Sequence, residues 1–311
     1  MSEKNYGFIR LDPPTQSDIK TRDKLREIVV LTYFLKVESP FHVGSGFVRK
    51  NEAGVVAKDI ARDETGTPII PGSTIKGCIE ANFRYIVKGA CGTDRCRPKD
   101  RIFPLCNLFG AMSLGSRIHF KDLKLTLLPS QKEQGLTPEK LTEIIQIPWL
   151  TTPKKQQRNP EAVDSEYSPV RLTTPKKQQR YFVKYYYNID FDKTNIGPLP
   201  IWITKTGASF QGQIRIENPT YDELQMIIYT LFYRTKGLQI GLGKNLGMGV
   251  LKTQFVQIEK FNPINPKTPT EEKRIKPTEF KDFIKNWDLF NQDAIREINE
   301  TQGNPLRTGG S

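Results

Sequence analysis

The chain has 311 residues, of which 37% are hydrophobic and 26% are charged, so it has enough apolar sequence for one large or two small folded domains. Its formal net charge of +13 favours a polyanionic partner, most often nucleic acid. A long apolar run, a signal peptide and a lipidation motif are absent from the sequence, which predicts a cytoplasmic protein with no membrane partner. The four cysteines then indicate thiols or metal ligands rather than disulfides.

Residues 1–27 are polar and contain Pro13-Pro14, which predicts an N-terminal arm. The following run IVVLTYFLKV, residues 28–37, predicts a central strand with one fully apolar face. It leads into a loop over residues 39–65, where the glycines of HVGSG permit close approach of the backbone to a ligand. His42 is either a structural loop histidine or a ligand contact. The acidic residues at the end of this loop either bind a divalent metal or are simply solvated.

The stretch GTPIIPGSTIKG, residues 66–77, predicts a turn at Pro71-Gly72 and a helix over 73–88 with Ser73 as its N-cap. Backbone N–H groups at such a helix start, with Lys76 beside them, form a place for a phosphate. The alternative is an ordinary capped helix. A cysteine-containing segment, residues 91–106, follows the helix.

Cys91, Cys96 and Cys106 lie in a basic segment whose spacing is not that of a standard zinc ribbon. With Cys78 or a histidine as the fourth ligand they would hold a structural zinc ion. The alternative is that they are small buried hydrophobic residues. Residues 116–128 then predict a strand whose alternation changes phase near Lys121-Asp122, which indicates a bulge or bend.

An identical nine-residue segment, LTTPKKQQR, occurs at 150–158 and again at 172–180, within a basic insertion over residues 145–185. The tyrosines and the phenylalanine that follow add rings for bases to charges for phosphates, although a solvated loop is an equal alternative. The cations of the two copies are Lys154, Lys155, Arg158, Lys176, Lys177 and Arg180.

Residues 209–217 alternate as a half-buried strand, and Thr220 with Glu223 predicts a capping box for a helix that stops near Gly237. The next run, GLGKNLGMGV at 241–250, matches neither the dinucleotide-binding nor the Walker pattern. A cationic glycine loop containing Lys244 and Asn245 still suits a phosphate backbone. Residues 262–311 are predicted to form a linker, a short amphipathic helix at 278–290 and a tail.

The predicted order of elements is βαββαβ, an α+β class with a ferredoxin-like core of the RNA-recognition-motif type and large insertions. The chain also contains, in this order, the motifs HVGSG (42–46), RDETGTPIIPGSTIKG (62–77), LFG (108–110) and GLGKNLGMGV (241–250). By these motifs the chain resembles the RAMP superfamily. Within that superfamily it is most similar to the backbone subunits of type III CRISPR effector complexes. The resemblance covers a domain at residues 28–261.

The resemblance implies a subunit that stacks with other subunits into a filament, grips the backbone of the guide RNA (crRNA) and positions complementary target RNA. The insertion at 145–185 is then a thumb between guide and target. Outside that thumb, the residues expected to contact RNA are His42, Ser45, Ser73, Thr74, Lys76, Arg84, Lys244 and Asn245.

Many such subunits cut target RNA with an aspartate before the RD…IPGS segment, with the help of magnesium or another divalent ion. Ungapped alignment puts Ala57 at that position, so Asp59 is the candidate catalytic residue and Asp63 the second choice. The resemblance also implies a zinc cluster before LFG. Two other functions stay open: a metal-independent endoribonuclease that processes precursor crRNA through His42, and a non-catalytic binder of single-stranded RNA.

Overall fold

The structure is a computed structural model that describes residues 6–10, 22, 24–90, 102–112, 114–127, 129–147, 180–184 and 197–301. In these ranges the chain has a mixed α+β fold with a large antiparallel sheet. The strands are β1 Tyr6–Arg10, β2 Ile28–Val37, β3 Gly44–Lys50, β4 Val56–Ile60, β5 Ile69–Ile70, β6 Ile118–Phe120, β7 Leu123–Leu125, β8 Thr142–Ile147, β9 Arg180–Lys184, β10 Leu199–Thr204, β11 Ser209–Glu217, β12 Leu238–Gln239, β13 Val250–Phe261 and β14 Glu271–Ile275. The helices are α1 Gly72–Ile86, α2 Pro104–Phe109, α3 Pro129–Glu133, α4 Tyr221–Phe232, α5 Phe280–Phe283 and α6 Gln292–Thr301.

The large sheet has the strand order β12-β13-β2-β11-β7-β5, with β14 paired to β13 and β6 paired to β11. A smaller sheet has the order β3-β4-β10-β8, and β1 pairs with β9 in an antiparallel ribbon. The helices α1 and α4 follow β5 and β11 in the sequence and contact each other.

Strand β2 lies between β13 and β11 and confirms the predicted central strand. Successive side chains of a strand point to opposite faces, so every second residue of this run shares the core face. That face of β2 is fully buried in the main hydrophobic cluster through Val29, Leu31, Tyr33, Leu35 and Val37. The other face of the same strand is only partly covered.

The helix α1 begins at Gly72 and ends at Ile86, one residue earlier at its start than predicted and two at its end. Its buried residues Ile75, Ile79 and Phe83 belong to the same cluster as β2, which confirms the predicted apolar face. Burying a stripe of this kind is what stabilises a helix in a globular protein, because a short isolated helix is marginal in water.

The capping box at α4 is confirmed. The hydroxyl of Thr220 accepts from the N–H of Glu223 at 3.1 Å, and the Glu223 carboxylate accepts from the N–H of Thr220 at 2.9 Å. The predicted stop at Gly237 is wrong, since the helix ends at Phe232 and Gly237 lies in a later turn. That turn needs glycine for a different reason, because a Cβ at this position would lie 2.4 Å from the carbonyl oxygen of Leu251.

The predicted break in the strand at 116–128 is also confirmed: β6 and β7 are separate, and Lys121-Asp122 lies between them. In β11 the predicted alternation holds, with Phe210, Ile214 and Ile216 buried. These two regions are neighbours, because β6 and β7 both pair with β11.

The C-terminal segment packs into the main core. Part of the predicted linker forms β14, and the predicted helix at 278–290 is divided into α5 and a 3-10 helix at Trp287–Leu289. The ring of Phe280 stacks on Phe232 with the ring centres 5.2 Å apart. The ring centres of Phe290 and Tyr229 are 4.4 Å apart. The segment therefore covers α4 with aromatic rings.

Candidate nucleic-acid interface

Two glycine-containing loops that are far apart in the sequence lie side by side. The N–H of Leu242 donates to the carbonyl of His42 at 2.8 Å, and the N–H of Gly249 donates to the carbonyl of Pro40 at 2.9 Å. An isolated β-bridge joins His42 to Leu242. The structure therefore brings together the HVGSG and GLGKNLGMGV motifs.

Two glycines of the second loop are closely packed against the backbone, Gly241 against the first loop and Gly249 against the second loop's own segment. Gly241 has φ +79°, and a Cβ there would lie 2.3 Å from the carbonyl oxygen of His42. Gly249 has φ +87°, and a Cβ there would lie 2.0 Å from the carbonyl oxygen of Ile240. The close approach expected for a ligand is therefore made, at these two positions, by the protein's own backbone. At Gly46, in contrast, a Cβ would meet none of the described residues within 4 Å.

Lys244 belongs to a loop that Gln239 links to the second turn of α1. The Gln239 amide holds its loop by donating to the carbonyls of Lys244 and Met248 at 3.1 and 2.9 Å, while the Cys78 thiol contacts the Gln239 carbonyl at 3.7 Å. Burial raises the pKa of the Cys78 thiol, and the nearby positive charges of Lys244 and Arg234 act in the opposite direction. The positive charge of Lys244 thus acts on the Cys78 side chain of α1.

Asn245 follows Lys244 within the 3-10 helix Lys244–Leu246. The loop packs on the smaller sheet through its apolar residues Leu242, Leu246 and Met248, and this packing fixes its position.

The start of α1 is capped from a distance. The predicted N-cap Ser73 is wrong, because the helix begins at Gly72 and is preceded by Pro71, whose side chain has no oxygen. The carboxylate of Asp122 accepts from the N–H of Gly72 at 2.7 Å. Since an anion already occupies this N–H group, the helix dipole is partly compensated before any phosphate arrives.

The exposed side of the first turns of α1 carries Ser73 and Gly77, with Thr74 half-buried beside them. The ammonium of Lys76 donates to the carbonyl of Phe109, in the LFG motif, at 3.4 Å. This contact places Lys76 at the edge of the helix, where its charge can meet a phosphate that approaches Ser73.

Arg84 does not join this surface. It is buried, and its guanidinium forms an ion pair with Glu80 at 3.2 Å, one turn earlier in the helix. We therefore assign its charge to α1 itself rather than to RNA.

His42 lies beneath the interface and is buried. Its Nδ1 is 2.7 Å from the carbonyl oxygen of Trp202, which requires a proton on Nδ1, and a Cβ at Gly44 would lie 3.1 Å from its Nε2. Burial lowers the pKa of His42, Lys58 lowers it further, and the hydrogen bond to Trp202 raises it. The ring is neutral at pH 7 and positions the loop.

Ser45, next along the same loop, donates its hydroxyl to the carbonyl of Asp59 at 3.3 Å and accepts from the N–H of Phe47 at 3.2 Å. Its hydroxyl therefore ties β3 to β4, the strand that holds the candidate catalytic aspartate. The predicted loop over residues 39–65 is thus wrong in part, because it contains these two strands.

The candidate catalytic Asp59 is largely buried and paired. Its Oδ1 accepts from the N–H of Ile60 at 2.9 Å and from the guanidinium Nε of Arg62 at 3.2 Å. Only 14% of the Asp59 side chain and 12% of the Arg62 side chain are exposed, so the pair is shielded from water. The guanidinium compensates the carboxylate charge and occupies Oδ1, which weakens the attraction of Asp59 for a divalent cation and leaves Oδ2 as its ligand atom.

Asp63 has a different role. Its Oδ1 accepts from the N–H groups of Thr65 and Thr67, both at 3.0 Å, and from the Thr65 hydroxyl at 2.7 Å. The Thr65 hydroxyl is the main cause of the lowered pKa of Asp63. Asp63 thus organises the turn before β5. Within the described ranges, three or more His, Cys, Asp or Glu side chains do not come together as a metal site.

Two of the four cysteines belong to the described residues. Cys106 is buried in α2, and Cys78 is half-buried in α1. A structural zinc ion requires four ligands, so the zinc prediction depends on Cys91 and Cys96, which lie outside the described residues.

Most of the basic insertion also lies outside the described residues, including its cations Lys154, Lys155, Arg158, Lys176 and Lys177. Its last cation, Arg180, begins β9, where it stands opposite Arg10 of β1 in the register. Strand β1 of the predicted N-terminal arm therefore pairs with the end of the insertion.

The sequence interpretation missed a cationic cluster around Trp202. The guanidinium carbons of Arg49 and Arg62 lie 5.6 and 5.5 Å from the centre of its ring, a cation–π geometry. The alternation of LPIWIT in β10 predicts which side of the strand is apolar, but it carries no information about the two arginines. They come from β3 and from the loop after β4.

A basic chain of α+β fold, with a glycine loop linked through Gln239 to a helix that carries Lys76, defines a candidate nucleic-acid-binding protein. The family model of the RAMP superfamily matches residues 34–298, which is more than half of the chain, and the chain belongs to this superfamily. Membership suggests a CRISPR-associated RNA-binding function, since RAMP proteins generally bind RNA and act in multi-subunit CRISPR complexes. No curated protein matches the chain. The helices in the described ranges are too short or too polar to cross a membrane.

Proposed function

We propose that this protein is the guide-RNA-binding subunit of a type III CRISPR interference complex. It grips the crRNA backbone, positions complementary target RNA and contacts neighbouring subunits. The observation that carries the proposal is that Gln239 links the glycine loop to α1, because its amide donates to the Lys244 carbonyl at 3.1 Å and its own carbonyl lies 3.7 Å from the Cys78 thiol. The first turns of the same helix expose Ser73. RAMP membership and the net charge of +13 support the same partner.

The fold component of the proposal is a ferredoxin-like core made of β2, α1, β6 with β7, β11, α4 and β13. In the large sheet these strands have the order β13-β2-β11-β7, and one helix follows the first strand and the other follows the third. This is the alternation that a βαββαβ unit requires. The smaller sheet and the C-terminal segment are then additions to that core.

The grip itself depends more on side chains than on the helix dipole. One N–H group of α1 is bonded to Asp122, so the remaining attraction comes from Lys76 and Lys244 and from the hydroxyls of Ser73 and Thr74. Contacts of this type read the sugar-phosphate chain and not the bases, which suits a subunit that accepts guides of any sequence.

In the same proposal the insertion at 145–185 separates guide from target as a thumb, and Cys91, Cys96 and Cys106 hold a structural zinc ion with Cys78 as a candidate fourth ligand. If target RNA is cut, Asp59 is the candidate catalytic residue. A magnesium ion would supply charge neutralisation at the phosphate. The Asp59–Arg62 pair fits such an ion poorly, and we assign no step to it.

Precursor processing through His42 is a weaker candidate. His42 is buried and its Nδ1 is committed to the Trp202 carbonyl, so only Nε2, beside Gly44, could exchange a proton with RNA. Cleavage of precursor in EDTA that is lost in His42→Ala would support that function. Magnesium-dependent target cutting lost in Asp59→Ala would support the filament enzyme.

The test of the grip is a guide-RNA binding assay on the full chain with Lys76→Ala and Lys244→Ala combined. We expect weaker binding and a log–log salt slope that is smaller by about 1.4, since each phosphate contact contributes about 0.7 on a single strand. The matched control is Lys281→Ala with Lys132→Ala, two exposed lysines on α5 and α3. Equal affinities for both double variants would refute the grip.

A further inference from the structure

The open face of the large sheet carries an aromatic stack that the proposed grip does not use. The rings of Phe34 on β2 and Phe255 on β13 are stacked with their centroids 4.4 Å apart. The guanidinium carbon of Arg274, on β14, lies 3.5 Å from the centre of the Phe255 ring. Phe255 is therefore enclosed between an aromatic ring and a cation, while Phe34 is the end of the stack.

The remaining face of the Phe34 ring is directed across the sheet toward β11. Strand β2 lies between β13 and β11, so a ring that meets Phe255 on one side has its other side toward β11. The residue opposite Phe34 in that register is Gln211, which is half-buried. A ring face next to an amide that both donates and accepts hydrogen bonds suits a flat heterocycle with polar edges.

Cations surround the same position. Lys36 pairs in register with Lys252, and Lys124 pairs with Gln211. Lys252 and Lys124 are exposed, and 44% of the Lys36 side chain is accessible beside its partner Glu38. Like charges placed directly opposite each other across two strands repel; Glu38 compensates Lys36 in part, and a bound anion would compensate Lys252.

One acidic residue, Glu38, lies at this end of the face, 3.5 Å from the Lys36 ammonium, while Glu259 and Glu272 stand opposite each other at the other end. The stack, Gln211 and the three lysines therefore form one patch, which we call the aromatic-basic patch: Phe34, Phe255, Arg274, Gln211, Lys36, Lys252 and Lys124. Rings for bases together with cations for phosphates are the combination that binds single-stranded nucleic acid without sequence preference.

We propose that the aromatic-basic patch is a second binding surface for single-stranded RNA, on which one base stacks against Phe34. The proposal rests on the RNA-binding function above, but it places an additional segment of RNA on the face of the sheet opposite α1 and α4. The amide of Gln211 contacts the edge of the stacked base, and Lys36 and Lys252 contact the adjoining phosphates.

The test compares full-length variants for binding of a uridine homopolymer by fluorescence anisotropy. Phe34→Leu keeps apolar bulk but removes the ring, and we expect about tenfold weaker binding from the loss of one stacked base. Lys36→Gln combined with Lys252→Gln should lower the salt slope by about 1.4. The matched control is Lys273→Gln, because Lys273 is on β14 but lies over Phe283, 5.1 Å from its ring centre, on the helix side of the sheet.

Photocrosslinking of 4-thiouridine RNA to the unmodified chain supplies a second readout that does not depend on the variant folding. Crosslinks in the peptide that contains Phe34 support the patch, and crosslinks confined to α1 and the glycine loop overturn it while leaving the proposed grip intact. Weaker binding in Phe34→Leu with no effect of Lys76→Ala and Lys244→Ala supports the patch and refutes the grip. If Phe34→Leu leaves RNA affinity unchanged and loses self-association, the proposal is overturned and the patch is a contact between protein chains.

Discussion

The two main helices of this protein begin in opposite ways. Helix α4 carries its own cap, because Thr220 and Glu223 bond each other's backbone three residues apart. Helix α1 begins after a proline and receives its cap from Asp122, fifty positions later in the chain. The first start depends on neighbouring residues alone, whereas the second exists only when the β6–β7 turn is in place.

The difference has a functional side. The α4 start is closed, since Glu223 is buried and also pairs with Arg117. The α1 start leaves Ser73 exposed, because neither its hydroxyl nor its side of the helix is needed for the cap. A helix capped from one side by a distant residue keeps its other side available for a ligand.

The largest expected effect comes from breaking the α4 start. Glu223→Ala removes half of the capping box and leaves the guanidinium of Arg117 buried without its carboxylate. We expect a loss of about 3–5 kcal/mol in the free energy of unfolding, measured by urea denaturation. Asp222→Ala removes an acid from the same turn that accepts only from the Gln225 amide, at 3.0 Å, and should cost about 1 kcal/mol. Similar losses for the two variants would contradict the role of the buried pair.

The next effect concerns the α1 start. In Gly72→Ala the new Cβ would lie 2.4 Å from the carbonyl oxygen of Phe120, so the helix start must move away from the β6–β7 turn. We expect a destabilisation of about 1–3 kcal/mol. The control is Gly77→Ala, five residues on, where a Cβ meets none of the described atoms within 4 Å.

Gly77→Ala should stabilise the chain by about 0.5–1 kcal/mol, because alanine loses less backbone entropy than glycine inside a helix. Opposite signs for the two substitutions, read from thermal melting, would establish the close approach at Gly72. Equal signs would exclude it.

A smaller effect is expected when the distant cap is removed. Asp122→Ala deletes the acceptor of the Gly72 N–H and should cost about 1 kcal/mol. Asp122→Asn keeps an acceptor oxygen and removes only the charge, so it should cost less and should strengthen guide-RNA binding measured at low salt. Weaker RNA binding in Asp122→Asn would argue against a phosphate near this helix start.

The smallest effect on stability is expected for Ser73→Ala. Because Ser73 is the second residue of the helix and not its cap, its removal should change the free energy of unfolding by less than about 0.5 kcal/mol. A loss near 1 kcal/mol would restore it as the cap. In the same variant, RNA binding tests whether the hydroxyl contacts a phosphate, and Ser116→Ala is a control for the loss of one hydroxyl elsewhere.

Sequence reasoning succeeded where the signal is periodic or local. The run at β2 predicts a central strand with one apolar face, and the run at β11 predicts a half-buried strand by its alternation; both predictions are confirmed. The capping box at α4 needs only two residues three positions apart. The phase change at Lys121-Asp122 was also visible in the sequence, because a break in alternation is a local property.

Sequence reasoning failed where a residue that is distant in the chain decides the local structure. Ser73 is a good N-cap by type, but Asp122 provides the cap. The segment before the C-terminal helices reads as a linker because it is rich in proline and lysine, yet β14 pairs with β13 there. In β13 a bulge between Thr253 and Phe255 moves Phe255 opposite Phe34, and no local pattern indicates that pairing.

By itself the sequence determined the buried faces of the central strands and main helices, the strongly basic character and the motifs of the RAMP superfamily. Apolar periodicity and net charge are properties of neighbouring residues and of totals, so they are legible without coordinates. The tertiary structure alone decided that the His42 and Leu242 loops touch, that Asp122 caps α1, and that Phe34, Phe255 and Arg274 stack. Each of these contacts joins residues brought together by strand order and register, which the packing of the whole chain sets.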